Sequence, residues 1–226
     1  MTSRKKQIQD TEILKKYLET CQIQQMFDTD ISSKAALFSF PKHSCLISAG
    51  EISGYLYILV SGEVKVCSYT NGDRVLYNNY LIAPQLLGEG FSLFNGTPVT
   101  SVEACTDCLC IGFSLKKYRS MFLNDNRFLR NVCFTLLNRG NFSFCNSLLD
   151  PLEMRLASFI LKYQDNGRLH FNISQCSQLL NSSYRHLYRL IKSLCENKVL
   201  MKSSGGYRIM DPEYLSELAT GRQSLK

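Results

Sequence analysis

Between about Phe40 and Phe113 apolar and polar residues alternate with a period of two, as in strands with one buried face. In "YLYILVSGEVKVCSYTNGDRVLYNNY", Val64 and Val66 alternate with Glu63, Lys65 and Cys67. A Ser-Gly and an Asn-Gly-Asp turn divide that run into three short strands. Gly50, Gly54, Gly62, Gly72, Gly88, Gly90, Gly96 and Gly112 punctuate the segment where turns are expected. Many short strands with glycine turns predict an antiparallel β jelly roll or barrel, and the long helices of a doubly wound sheet are missing from the pattern.

After Phe113 the period lengthens. "LKKYRSMFLNDNRFLRNVCFTLLNRGNFSFCNSLLD" reads as one long helical stretch closed by Pro151. Its apolar band, Phe128, Leu129, Val132, Cys133, Leu136, Leu137, Phe144 and Leu148, is wider than one domain needs. That width fits a dimer seam on one face and packing against the chain's own barrel on another. "PLEMRLASFILKY" then starts a further helix, with Leu152, Leu156, Phe159, Ile160 and Tyr163 apolar. The opening segment, "MTSRKKQIQDTEILKKYLET", reads as a charged amphipathic helix. The expected organisation is an α+β chain: N-terminal helix plus jelly-roll sensor over 1–124, dimerisation helix over 125–150, and a third domain over 151–226.

That last domain carries the most specific pattern. "ISQCSQLL" gives a short helix with Ile173, Cys176, Leu179 and Leu180 on its apolar side, and Asn181 follows where a tight turn wants positive φ. In "NSSYRHLYRLIKSL", Leu187, Leu190, Ile191 and Leu194 fall at i, i+3, i+4 and i+7 and form one apolar stripe. Arg185, Arg189 and Lys192 lie opposite, with His186, Tyr188 and Ser193 on the flanks, and Ser182 or Ser183 is placed to cap the helix. "NKVLMKSSGGYRI" reads as strand, turn, strand. Helix, turn, basic helix and hairpin make a winged helix-turn-helix. Its second helix is expected in a DNA major groove and its wing, with Lys202 and Arg208, along phosphates.

Charge supports this reading. A merely solvated helix face mixes signs, because Glu-to-Lys pairs one turn apart stabilise it. From Asn172 to Ile209 there are six Lys or Arg residues and a single acid, Glu196, a local net charge of +5 within a chain total of +7. A concentrated basic field is the usual footprint of a phosphate backbone. A protein-binding module that meets an acidic partner is the other use of such a field.

The chain's 226 residues are enough for two domains with separate cores. No apolar run approaches the roughly 20 residues that span a bilayer, and no signal peptide is recognisable, so a cytoplasmic location without membrane contact is expected. The ten cysteines are scattered, and reduced thiols are the default. "ACTDCLC" places Cys105, Cys108 and Cys110 close together, with Cys108 and Cys110 on one face of a strand. They could share an iron–sulfur cluster or act as redox thiols. Against this, a cluster usually takes four thiolates, and buried cysteines are commonly small apolar packers. Enzymatic chemistry has little support: His43, His170 and His186 show no spacing to a nucleophile or metal set, and no catalytic residue is assigned.

Barrel, long helix and winged helix-turn-helix in that order resemble the Crp/Fnr family of bacterial transcription regulators. The likeness spans about Phe27 to Ile209. It rests on "GEISGYLYILVSGEVKV" and "LLGEGFSLFNGTPVTSVEA" in the barrel, and on "MRLASFIL" and "SSYRHLYRLIKSLCENKVL" after it. The words "LKKYRSMFLNDNRFLRNVC", "SYRHLYRL" and "MKSSGGYRI" are most similar to its YeiL-like branch. The resemblance implies a homodimer on a roughly palindromic operator, RNA polymerase as a further partner, and a signal sensed in the barrel.

The family's recognition motif falls on Ser183, Tyr184, Arg185, His186, Leu187, Tyr188 and Arg189. Arg189 keeps the late arginine, suited to guanine O6 and N7. Tyr184 stands where a base-reading arginine is common and Arg185 where an acid is common, so the resemblance implies an operator unlike the usual half-site. Ser183 and His186 match phosphate-holding positions. In nucleotide-binding members a Gly-Glu pair holds ribose and a following arginine pairs with phosphate. Gly88 and Glu89 are present, but the arginine position matches Val99 or Thr100, and no Lys or Arg lies between Gly88 and Ala104. Glu89 and Glu103 add negative charge. A cyclic nucleotide is therefore not expected, and a different small-molecule effector or a redox signal takes its place.

Overall fold

The computed structural model describes residues 5–69, 75–141, 150–169 and 172–223. The chain forms two compact units, residues 1–142 and 143–226.

The first unit begins with strand β1 (Lys6–Ile8) and helix α1 (Thr11–Thr20). The sequence pattern led us to expect helix throughout this segment. Instead Asp10 starts the helix, its carboxylate accepting the Glu12 and Ile13 N–H groups at 3.0 and 2.9 Å, and the residues before it join the edge of a sheet. Eight further strands follow: β2 (Ala35–Phe40), β3 (Cys45–Ile47), β4 (Tyr55–Ser61), β5 (Glu63–Tyr69), β6 (Val75–Ile82), β7 (Gln85–Leu87), β8 (Ser101–Ala104) and β9 (Cys108–Ser114). They pair antiparallel in two sheets, β1-β2-β9-β4-β7 and β3-β8-β5-β6, which together form the jelly roll.

Phe40, Tyr57, Leu59, Val64, Val102 and Cys110 fill the space between the sheets. The outer face of the five-stranded sheet is also covered. Leu56, Ile58, Ile111 and Phe113 pack there against Phe27, Phe122, Phe128 and Val132. Burial on both faces explains why β4 is apolar from Tyr55 to Val60, whereas β5 alternates only as far as Val66. A register shift there leaves Cys67 fully buried instead of on the face opposite Val64, where strict alternation expected it. Gly112 is not in a turn. It lies inside β9, where a Cβ would come 2.6 Å from the Phe38 ring.

The expected single long helix is broken. Helix α2 (Leu115–Leu123) stops at Asn124, and α3 (Asn126–Asn141) begins beyond Asp125. The buried Asp125 carboxylate accepts the N–H of Phe128 at 2.9 Å, and also those of Asp28 and Thr29 at 2.9 and 3.0 Å. It therefore caps α3 and ties the helix start to a segment far back in the chain. Burial pushes this carboxyl up, but the three backbone donors outweigh it and hold the group below the usual range. Phe144 and Leu148 of the expected apolar band lie outside the described residues.

The second unit consists of α4 (Leu152–Tyr163), β10 (Arg168–Leu169), α5 (Ile173–Leu179), α6 (Tyr184–Glu196), β11 (Leu200–Ser203), β12 (Gly206–Ile209) and α7 (Pro212–Ala219). Two elements were not anticipated: the short β10, which joins the hairpin as a third strand beside β12, and α7, which packs on α4 through buried Leu215 and Leu218.

Candidate nucleic-acid interface

Local signals build the helix-turn-helix. Asn172 caps α5 by accepting the Ser174 N–H at 2.8 Å. Asn181 adopts φ 48, which turns the chain, and the Ser182 N–H closes the turn on the Ser177 carbonyl at 2.8 Å. Arg155 of α4 reaches in and donates to the Leu180 carbonyl at the end of α5, so the first helix of the unit braces the turn. Of the two candidate serines, Ser183 is the cap of α6, accepting the His186 N–H at 3.2 Å.

On α6, Leu187, Ile191 and Leu194 are buried, and Leu190 is half-buried at the edge of their stripe. Tyr184, Arg185, His186, Tyr188, Arg189 and Lys192 are all exposed. Lys192 reaches Glu196 at 3.5 Å, with both side chains about two-thirds in solvent, a contact of small energetic consequence. Among the described residues, Arg185 and Arg189 enter no ion pair. The helix thus anchors one face and presents a row of uncommitted donors on the other.

In the wing, Lys202 stands opposite Tyr207 and Met201 opposite Arg208 across β11 and β12. Adjacent rows of a hairpin point to opposite faces, so Lys202 and Arg208 do not share a surface as a single phosphate-facing pair would. Strand β10 adds a residue that the sequence reading missed: Arg168 lies directly opposite Arg208, and both are exposed. Like charges in register repel, so this pairing is unfavourable in itself. The missed signal was present, since Arg168 is a further cation just upstream of the counted segment.

The jelly roll treats its charges differently. Gly88 has φ +89, and Glu89 beside it is 2% exposed. Its carboxylate is not left to repel a ligand. Arg139 of α3 donates to it, to the Leu86 carbonyl, and to Gln85 Oε1 at 3.2 Å. The compensating cation comes from 50 residues away, well outside the segment from Gly88 to Ala104. Burial still holds the Glu89 carboxyl above the usual range, against the pull of Arg139. Glu103 is likewise matched, by Lys65 at 3.2 Å and by the Tyr69 hydroxyl. Val99 is 65% exposed and Thr100 half-buried, so the two candidates for the missing arginine position do not share the burial of Glu89.

The three cysteines of "ACTDCLC" separate. Cys108 and Cys110 do lie on one face of β9, inside the core between the sheets, whereas Cys105 is half-buried beyond the end of β8 and outside that core. Burial pushes the thiols of Cys108 and Cys110 up, which disfavours the thiolates that metal binding and redox exchange require. Among the described residues no group of three or more His, Cys, Asp or Glu is arranged to hold a metal ion. His43 and His186 are exposed, and His170 lies outside the described residues. No helix among them is long and apolar enough to cross a membrane.

Comparison with known proteins agrees with this architecture. The cyclic nucleotide-binding domain family matches residues 37–125. Regulatory protein YeiL of Escherichia coli O157:H7 is 32% identical over 196 residues, which cover 85% of this chain and 90% of that one. The cAMP-activated global transcriptional regulator CRP of Haemophilus influenzae is 27% identical over 183 residues, covering 75% and 81%. The structure of FixK2 from Bradyrhizobium japonicum shares the fold, with a TM-score of 0.70 at 16% identity, covering 81% of this chain and 96% of its own. The chain is a member of the Crp/Fnr family of transcription regulators.

Proposed function

We propose that this regulator acts as a homodimer on a roughly palindromic operator, each α6 entering the major groove of duplex DNA. The carrying observation is the pair of exposed arginines, Arg185 and Arg189, one turn apart and without an ion pair among the described residues, on a helix whose other face is core. Arg189 addresses guanine O6 and N7. Ser183 and His186 at the helix start, together with Lys192, Lys202 and Arg208, hold phosphates. The wing stands edge-on in the adjacent groove, so that Lys202 on one face and Arg208 on the other meet opposite walls.

The dimer seam is α3. Phe128 and Val132 are buried against the jelly roll, and the Leu136 side chain lies within 3.6 Å of where a Gly90 Cβ would stand. On the other side of the same helix Phe134 and Leu137 are 66% and 67% exposed. Two such helices facing each other would bury these side chains and set the half-sites about 34–36 Å apart. Leu137→Glu is expected to give a folded monomer in sedimentation, with operator affinity lost. A dimer of unchanged stability would place the seam elsewhere. The DNA-bound role puts the protein in the cytoplasm with RNA polymerase as its partner.

The direct test is selection of duplexes from a random pool, with reduced and oxidised protein and at low ionic strength. A palindromic consensus with two half-sites is expected, and recovery of no sequence under any condition contradicts the reading. The barrel is not switched by cyclic AMP or cyclic GMP, since no Lys or Arg lies from Gly88 to Ala104, where the family's phosphate-pairing arginine falls, and Arg139, which reaches the site from α3, is engaged by Glu89. Addition of either nucleotide is expected to leave operator affinity unchanged.

A further inference from the structure

The recognition helix carries a second row beside its arginines. Tyr184 and Tyr188 stand one turn apart on α6, 54% and 49% exposed, with ring centroids 6.2 Å apart and ring planes within 9° of parallel. Tyr184 occupies the first helical position after the Ser183 cap, the end from which recognition helices reach base edges. Arg185 and Arg189, the neighbouring row, have the same one-turn spacing.

The two rows offer unlike chemistry. Guanidinium forks suit the two acceptors of guanine. Flat ring faces with no cationic character suit the one apolar group exposed in the major groove, the C5-methyl of thymine. A third phenol supports the arrangement from the wing. Tyr207 of β12 is half-buried; burial first, and then Cys195, Tyr188 and Tyr184 close by, push its hydroxyl above the ordinary range. The wing's Tyr207 is therefore within electrostatic reach of both tyrosines of α6.

We propose that the Tyr184–Tyr188 ring pair is a thymine reader, packing on C5-methyl groups and specifying one or two thymine positions in each half-site. The assignment rests on the docking of α6 proposed above. It gives the helix a divided code, with guanine read by the arginine row and thymine by the tyrosine row.

Duplexes selected by the full-length protein are resynthesised with deoxyuridine in place of each thymine in turn, which removes only the methyl group. Affinity is expected to fall roughly fourfold at one or two positions per half-site, the factor that corresponds to about 0.8 kcal/mol for one buried carbon. Tyr184→Phe and Tyr188→Phe, which keep the rings, should preserve that sensitivity. The double variant Tyr184→Ala with Tyr188→Ala should abolish it while circular dichroism stays unchanged. The proposal is overturned if no deoxyuridine weakens binding, or if the sensitivity survives in the double variant. Weakened binding by the Phe variants without any effect of deoxyuridine also overturns it, because the hydroxyls would then be holding phosphate. Failure of the wild-type protein to select any duplex is a different result, and counts against the docking itself.

Discussion

Arg139 in the first unit and Arg189 in the second carry the same guanidinium in opposite surroundings. Arg139 has 21% of its side chain exposed and directs its two terminal nitrogens to Glu89, Gln85 and Leu86. Arg189 is exposed, and among the described residues it has no ion pair. A buried carboxylate without a partner is costly, so Glu89 needs Arg139 for the jelly roll to be stable. An exposed arginine carries no such obligation, and its planar fork remains available to an incoming acceptor. Charge alone therefore does not mark a binding site in this chain. In the proposed reading, the site is marked by charge that the fold itself has left uncommitted.

The largest effect should come from the committed partner. Arg139→Ala leaves the Glu89 carboxylate buried and unopposed, at a cost of about 3 kcal/mol read from the urea midpoint of the first unit. The same change at Arg189 should move stability by no more than about 0.5 kcal/mol. The pH dependence has a definite sign. Glu89 already titrates above the usual carboxylate range because it is buried, and losing Arg139 raises it further. An acid with a raised folded pKa binds more protons folded than unfolded, so stability falls as pH rises through that value. The penalty in Arg139→Ala should then be smaller at about pH 5 than at about pH 8. An equal penalty at both would mean that Glu89 is not the group left stranded.

How much of this was legible in the sequence divides along the same line. The helix-turn-helix is written in local signals: Asn181 at the turn, Ser183 at the cap, and the Leu187, Ile191 and Leu194 stripe all act within one or two turns of themselves. The jelly roll was readable as a class from β5 and its turns. The break at Asp125 was not, because two of the three donors that hold it, Asp28 and Thr29, lie nearly a hundred residues upstream. Glu89 was legible only as added negative charge for the same reason, since its partner Arg139 stands 50 residues further along the chain. Strand β10 is two residues long, too short for any period to register, and only its pairing with β12 defines it.

A second effect, of about 1–3 kcal/mol, is expected at the uncommitted arginine, and in binding rather than stability. Arg189→Ala should weaken the selected operator by that amount and relax a single base position on reselection. Random duplex should be affected far less, since a base contact contributes little where the base is wrong. If the variant keeps the wild-type consensus, α6 is not the reading helix, and the contrast with Arg139 loses its functional half.

The smallest effects are expected in the wing, where they are best read as salt dependence. Each neutralised phosphate contributes about 0.9 to the slope of log affinity against log salt, independent of sequence. Lys202 and Arg208 occupy opposite faces of the hairpin, being in adjacent rows of the β11–β12 register. An edge-on wing brings both faces to phosphates. Lys202→Ala and Arg208→Ala should then each lower the slope by about one, the double variant by about two, and all sequences should weaken alike. A wing lying flat on one strand would instead show the loss for one residue only, and the identity of that residue would say which face meets the DNA. Arg168, in register with Arg208, should behave as Arg208 does. Its slope would extend the uncommitted surface to a strand that the sequence pattern did not reveal.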